Sequence, residues 1–214
     1  MMKKLFFLAL VLMIAGSVNA QHRWYRPQER SDDYYQVRVG LTGGLNFANT
    51  VSSDNPDFST NTKTGFNAGL FVDIPIAYPL SIVPEVLYSQ KGYRASFTDG
   101  SRFTQRANFI DVPILLKIKV APVLNIYAGP QFSFLTTTRN TNYTGNIVDY
   151  ESRYNYYGDK SFVDGNFGVG IDLNKNVELR GNYTIDFREN NPNGSSGIPA
   201  YRNQVWQVGL AFKL

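Results

Sequence analysis

The sequence predicts an all-β protein, an eight-stranded antiparallel up-and-down transmembrane β-barrel. Three observations predict this fold class. Apolar and polar residues alternate along eight segments, as they do where successive side chains point to opposite faces of a strand. These segments are about ten residues long or longer, which is the length of a tilted strand that crosses a bilayer. Short and long connections alternate between the segments, as they do in outer-membrane barrels.

The clearest pair of strands lies within residues 111–134. The first strand of the pair takes in Ile110 just before this range, and its apolar residues share one face: Ile110, Val112, Ile114, Leu116 and Ile118. The second half alternates in the same way. Only residues 120–122 separate the halves, so we expect them to be antiparallel neighbours. A hairpin that crosses lipid must join a closed barrel, because lipid offers a free sheet edge no hydrogen-bond partner.

The other six segments continue this pattern along the chain. They span residues 35–47, 65–76, 80–91, 162–173, 177–187 and 203–214. The short connections are residues 76–79, 120–122 and 174–176, and the long ones are 48–64, 92–106, 136–161 and 188–202. Tight turns are typical of the periplasmic end of a barrel and long loops of the extracellular end. We therefore expect the four long connections to face outside the cell.

Residues 1–20 have the pattern of a cleaved signal peptide. Lys3 and Lys4 are followed by an apolar stretch at 5–15 and by the small-residue site Val18-Asn19-Ala20. The polar residues 21–34 are then predicted to be a flexible periplasmic segment, and residues 35–214 the outer-membrane β-barrel domain. Such a precursor crosses the inner membrane, and its mature form is expected in the outer membrane of a Gram-negative bacterium.

The composition excludes several classes of function. The chain has no cysteine, which rules out disulfides, thiol chemistry and cysteine metal sites. Its net charge of +4 includes Lys3 and Lys4 of the signal peptide, and no basic face suggests nucleic acid.

Three prolines occur where the predicted strands would require a backbone N–H donor. Pro84, Pro113 and Pro130 fall within predicted strands, where proline removes a ladder donor. A closed barrel has no free edge to accommodate them, so we expect bulges or bends at these positions.

Several segments resemble the PorT family of outer-membrane β-barrel proteins. They are GLTGGLN at 40–46, PEVLYSQKG at 84–92, IDVPILLK at 110–117, IYAGPQF at 126–132 and the closing GLAFKL. The resemblance spans nearly the whole mature chain and implies an eight-stranded outer-membrane barrel. It implies little about activity: some members are associated with protein secretion machinery, and nothing here assigns such a role to particular residues.

Strand parity places charged side chains inside the barrel, and the predicted charge network of the lumen comprises Arg38, Glu85, Asp111, Lys117, Glu178, Arg180 and Asp186. Eight strands leave a lumen that side chains just fill, and buried charges must pair. We therefore expect Arg180 to pair with an inward carboxylate, with Glu85 or Glu178 the first candidates. A network that plugs the lumen is the favoured interpretation, and an ion path is the alternative.

No catalytic, cofactor-binding or metal site is predicted. The only histidine, His22, lies next to the predicted cleavage site and outside every strand, and histidine is the usual general base near neutral pH. Acidic pairs such as Asp54 with Asp57 are better explained as solvated loop charges. The sequence therefore predicts a protein that is not an enzyme.

The third long connection, 136–161, is the best candidate for an extracellular binding surface. Tyrosine and arginine are enriched at binding hot spots, and this segment contains Arg139, Tyr143, Tyr150, Arg153, Tyr154, Tyr156 and Tyr157. Contact with a glycan or a protein is one interpretation, and an extended strand pair decorated with tyrosine is the other.

The predicted function is therefore that of a small outer-membrane barrel with a structural, adhesive or accessory role. Its partners would be outer-membrane lipid, other envelope proteins, or extracellular glycan or protein bound by the long loops. A narrow pore and a soluble exported β-barrel that binds a ligand remain as alternatives.

Overall fold

The computed structural model describes residues 35–52, 59–96, 101–144, 147–155, 161–187 and 201–214. Its regular elements are β1 (Arg38–Ser52), β2 (Ser59–Ala77), β3 (Leu80–Ser96), β4 (Ser101–Ala121), β5 (Leu124–Thr144), β6 (Ile147–Asn155), β7 (Ser161–Asp172), β8 (Val177–Asp186) and β9 (Tyr201–Lys213). Within these ranges, no helix has the length and apolarity needed to span a bilayer. The predicted signal peptide and the segment 21–34 lie outside the described residues.

Eight of the strands form a closed antiparallel ring. Each strand from β1 to β5 pairs with the next, β5 then pairs with β7, and the order continues through β8 and β9. The ring closes where β9 pairs with β1, with Leu41 opposite Phe212. The predicted eight-stranded up-and-down architecture is confirmed. The remaining strand, β6, pairs with the distal half of β5, where Arg139 lies opposite Arg153.

At one end of the ring the strands are joined by tight turns. Tyr78–Pro79, a cis peptide, joins β2 to β3, and residues 122–123 join β4 to β5. In the turn from β7 to β8, Asn174 Oδ1 accepts hydrogen bonds from the backbone N–H groups of Asn176 and Val177. Such local side-chain bonds favour turns over strands.

At the other end the strands are longer than the sequence predicted. Much of the predicted loops 48–64, 92–106 and 136–161 is strand, because β2 begins at Ser59, β4 at Ser101 and β5 runs to Thr144. The predicted bounds of these loops were therefore wrong. Beyond the membrane the outward face of a strand meets water instead of lipid, so both faces can be polar and the sequence lacks the alternation that identifies a membrane strand. Within the predicted fourth loop, residues 188–200 lie outside the described residues.

The two faces of the ring differ sharply. On β2, Leu70 is 56% exposed while its neighbour Phe71 is 1% exposed, and the same alternation runs through the ring. The outward apolar band ends, on the side away from the tight turns, in aromatic side chains. The Phe66 and Tyr88 ring centroids there are 5.7 Å apart. Aromatic girdles of this kind mark the membrane–water boundary in transmembrane barrels.

The predicted bulges at the prolines are absent. The ladder between β3 and β4 keeps one register across Pro84, which lies opposite Ile114, while Leu87 lies opposite Asp111. The register is likewise unbroken at the other two strand prolines, Pro113 and Pro130. Register shifts occur elsewhere, for example between residues 108 and 109 of β4. Each proline removes one N–H donor from the ladder, but the residues on either side of it keep the same register with the neighbouring strand.

Candidate functional site

The centre of the lumen contains an arginine held on four sides. Arg180 Nη1 donates to Glu85 Oε1 at 2.7 Å, and its Nε lies 3.5 Å from Glu178 Oε1. The guanidinium carbon is 4.6 Å from the ring centroid of Phe71 and 4.9 Å from that of Tyr127. The predicted pairing of Arg180 with inward carboxylates is present. The two rings restrict the guanidinium to the plane in which it meets these carboxylates.

Glu178 connects this arginine to the turn end of the lumen. Its carboxylate accepts a hydrogen bond from the Tyr127 hydroxyl and lies 3.1 Å from Lys213 Nζ. Lys213 also meets Asp172 at 2.7 Å. A Cβ at Gly170 would collide with the Glu178 carboxylate, so the absence of a side chain there makes room for it. The C-terminal strand is thereby linked to β7 and β8 through buried charges.

A second ion-pair cluster lies nearer the aromatic girdle. Lys91 Nζ is 2.9 Å from Asp111 and 3.7 Å from Asp164, and it sits 4.8 Å from the centroid of Phe109. Ser133 donates to Asp164 at 2.6 Å and completes its polar surroundings. The Lys91 ammonium group therefore forms ion pairs with carboxylates from two different strands, β4 and β7.

The other predicted lumen residues are placed as follows. Lys117 pairs with Asp73 at 2.7 Å, and both are buried. Asp186 is buried and accepts hydrogen bonds from the backbone and the side chain of Asn203. Arg38, at the start of β1, is only half-buried. Strand parity thus placed these charges on the inner face, and Lys117 and Asp73 form an ion pair there.

Sequence reasoning missed three inward residues that matter. Lys91 shares strand parity with Glu85, which is the signal that would have found it. Phe71 and Tyr127 also have inward parity, but an aromatic residue on a polar face was not expected to take part in a charge network. Together with Val83 and Leu115 they belong to a buried apolar cluster inside the ring.

The buried charges nearly balance in sign. Among the described residues, six buried side chains are acidic and five are basic. The acidic ones are Asp73, Glu85, Asp111, Asp164, Glu178 and Asp186, and the basic ones are Lys63, Lys91, Lys117, Arg180 and Lys213. Pairing offsets part of the cost of burying these charges, and the near balance leaves little net charge inside the ring.

An apolar outer face around a paired, polar interior agrees with the family comparison. Residues 19–190 match the family of the outer membrane protein beta-barrel domain. The chain belongs to that family. It is a β-barrel protein of the bacterial outer membrane, and its outward face contacts membrane lipid.

Solved structures of small outer-membrane barrels are similar to this one. One is Ail, the attachment invasion locus protein of Yersinia pestis, in complex with the heparin analogue sucrose octasulfate. It is 9% identical, with 84% of this chain and 99% of Ail covered and a TM-score of 0.50. Neisserial surface protein A is 16% identical, with 82% of this chain and 97% of that chain covered and a TM-score of 0.48. At these identities the likeness concerns the fold alone. No curated protein sequence matches the chain.

The predicted binding loop of this outer-membrane barrel is largely a β-hairpin. Arg139 on β5 forms an ion pair with Glu151 on β6 at 3.3 Å, and Tyr150 is 61% exposed. Tyr143 is half-buried and Arg153 is exposed. The strand-pair interpretation of this segment is therefore right for β5 and β6. The side chains of Tyr154, Tyr156 and Tyr157 lie outside the described part of the chain.

Proposed function

We propose that this protein is a non-enzymatic outer-membrane barrel with a closed lumen and a structural, adhesive or accessory role. The observation that carries the proposal is the buried layer across the ring. Its apolar members come from five of the eight ring strands, and they are Phe71, Val83, Leu115, Tyr127 and Ala211. Arg180 lies against this layer and between two carboxylates.

Such a layer leaves an ion no hydrated route at that level. Phe71, Leu115 and Tyr127 are each 1% exposed, and they are among the largest fully buried side chains described. Eight strands enclose a space that side chains fill, whereas water-filled channels need wider barrels. A narrow pore, which is the alternative function, would require this layer to move aside.

Electrical recording separates the closed barrel from the pore. Folded protein reconstituted in planar bilayers should give no reproducible unitary conductance. Tyr127→Ala, which thins the buried layer, should raise ion leakage, whereas Tyr150→Ala on the exposed hairpin should not. Folding of each variant is checked by its heat-dependent migration on a gel. Well-resolved conductance steps from the unaltered protein would overturn the closed-lumen proposal.

The adhesive role is supported by the sheet that continues past the aromatic girdle. The distal parts of β4 and β5, together with β6, form a strand ladder there, with Tyr150 and Arg153 exposed. Exposed tyrosine and arginine on a rigid sheet are suited to contacting a glycan or a protein. The structure of Ail contains a heparin analogue, which is a property of Ail. Tyr150→Ser should reduce retention of whole cells on immobilised sulfated glycan if this sheet is adhesive, and it leaves Arg153 unchanged.

An accessory role, including association with secretion machinery, requires a partner in the envelope. Affinity purification of the folded barrel from solubilised outer membranes tests this role directly. Enrichment of one envelope protein in stoichiometric amount supports it, and recovery of the barrel alone favours the adhesive or structural role.

We also propose that the chain is made as a precursor cleaved after Ala20. Lys3, Lys4 and the apolar stretch 5–15 support cleavage there. Residues 21–34 would then form a flexible periplasmic segment before the barrel. Intact-mass measurement of protein from purified outer membranes should show a chain that begins at Gln21, and a chain that begins at Met1 would contradict cleavage.

A further inference from the structure

Three arginines lie side by side on three neighbouring strands. Arg106 on β4 is directly opposite Arg139 on β5, which is directly opposite Arg153 on β6. All three side chains are exposed. Residues directly opposite each other in an antiparallel ladder have Cβ atoms about 4.5–5.5 Å apart, and like charges in such positions destabilise the sheet. An arrangement of this kind is stabilised by an anion that the guanidiniums share.

The row faces outward, at the end of the lipid-facing band. The neighbours of the arginines along the strands point the other way, since Ala107 and Thr138 are buried. On β4, Ile110 belongs to the outward apolar band, and Arg106 lies on the same face four residues before it. At about 3.3 Å per residue, that separation is roughly 13 Å along a tilted strand. This places the row at the height where lipid headgroups surround the barrel.

A cavity of about 180 Å³ lies beside the row. It is lined by Gln90, Arg106, Asn108, Thr137, Arg139 and Arg153. The three arginines supply the planar pairs of N–H donors that match phosphate oxygens. Gln90 donates to Asn108 Oδ1 at 3.2 Å, which fixes the floor of the cavity between the arginines and the apolar band.

Little negative charge balances this group within the described residues. Arg139 has Glu151 at 3.3 Å, and neither Arg106 nor Arg153 has an ion-pair partner in that part of the chain. Burial first, and then the positive charges of Arg106 and Arg94, lower the pKa of Lys63 to about 8. The surroundings of Arg106 are thus cationic on more than one side.

The strand next to Arg106 leaves the row accessible. Gly92 on β3 lies opposite Arg106, with a positive φ of 157° that other residues rarely adopt. A Cβ there would also collide with the Gln105 carbonyl oxygen. The row therefore ends at a position without a side chain, and a headgroup can approach Arg106 from that side.

We propose that Arg106, Arg139 and Arg153 bind a phosphate group of a membrane lipid in the leaflet around this end of the barrel. The outward orientation favours a lipid phosphate over a dissolved anion, because the cavity adjoins the apolar band that the acyl chains cover. The inference rests on the outer-membrane location, and it does not depend on whether the lumen conducts.

The test compares lipid retention by matched variants. Folded protein in detergent is incubated with a bis-phosphorylated lipid A or with its dephosphorylated form, and retained lipid is counted by native mass spectrometry. The binding variant is Arg106→Gln with Arg139→Gln and Arg153→Gln. The control removes the same three charges elsewhere, as Lys119→Gln with Lys175→Gln and Arg202→Gln. Arg106→Gln alone serves as the second variant should the triple variant fold poorly.

We expect the unaltered protein and the control to retain the phosphorylated lipid at least tenfold more than the dephosphorylated one, and the binding variant to lose that preference. Equal loss in the control, or no phosphate preference in the unaltered protein, would overturn the proposal. A further arm titrates inorganic phosphate and sucrose octasulfate. Binding of either at the row without lipid retention would overturn the assignment to a lipid and leave a site for a dissolved anion.

Discussion

Arg180 Nη1 lies 2.7 Å from Glu85 Oε1 although the two residues are 95 positions apart in the chain. They come from β8 and β3, which are not neighbours in the ring, so the bond spans the lumen. It ties together two regions of the barrel that no backbone hydrogen bond joins directly. The Phe71 and Tyr127 rings on the guanidinium exclude solvent from this bond.

Arg180→Ala should therefore destabilise the barrel strongly. Removing one partner of a buried ion pair leaves an uncompensated charge and typically costs about 3–5 kcal/mol. Here Glu85 would lose its cation, and Glu178 would lose one of two. The unfolding midpoint in urea, measured in detergent, should fall far more than for Arg153→Ala on the exposed β6. Equal effects of the two substitutions would show that the cross-lumen pair contributes nothing to stability.

A charge placed on the outward face should lower the free energy of unfolding, and the loss should be larger the deeper the charge lies in the bilayer. Leu179 on β8 and Ile114 on β4 both point outward within the apolar band. Replacing either with arginine near the bilayer midplane should reduce the free energy of unfolding by about 2–4 kcal/mol in a lipid bilayer.

The control for this prediction is Thr62→Arg, at an exposed position of β2 beyond the apolar band. It adds the same side chain where water can solvate it, and it should change the free energy of unfolding little. Similar stability of Leu179→Arg, Ile114→Arg and Thr62→Arg would show that residues 114 and 179 do not face lipid.

The ring and its inner face could be predicted because the membrane imposes a strict period on each strand. Glu85 and Arg180 lie on the inward positions of their strands. Leu179 precedes Arg180 directly and therefore points outward. Beyond the membrane the outward face meets water and can be polar, as Arg139 is next to the buried Thr138, so that constraint disappears. This is why β6 and the distal part of β5 were placed in a long connection instead of in membrane strands.

Lys91 could have been found from the strand parity that it shares with Glu85. The role of Phe71 could not, because it depends on which strands meet across the lumen, and strand parity alone does not contain that information.

The orientation of the barrel gives a separate prediction. The tight turns should face the periplasm and the hairpin of β5 and β6 the outside, as short turns and long connections do in bacterial barrels. A peptide epitope inserted near Asn146, between β5 and β6, should be labelled by antibody on intact cells. An epitope at Lys175, in the turn between β7 and β8, should be labelled only after permeabilisation. The opposite labelling would reverse the orientation.

The titration of Lys63 gives the last prediction and reports on the charges around Arg106. Burial, Arg106 and Arg94 together lower the pKa of Lys63 from 10.5 to about 8. Arg106→Gln removes one of these charges, so the pKa of Lys63 should rise, yet it should stay below 10.5 because burial remains. Carbon-13 NMR of the lysine side chains in detergent, with Lys63→Arg to assign the signal, measures this change.

A lowered pKa also makes stability depend on pH. The unfolded chain keeps the Lys63 proton up to a pH of about 10.5, whereas the folded barrel loses it near 8, so the free energy of unfolding should rise between these values. In Arg106→Gln the rise should begin at higher pH and be smaller. Arg202→Gln, an exposed change on β9, should leave both the pKa and the pH dependence as they are. If it shifts them as much as Arg106→Gln does, the interaction is a general charge effect and not a local one.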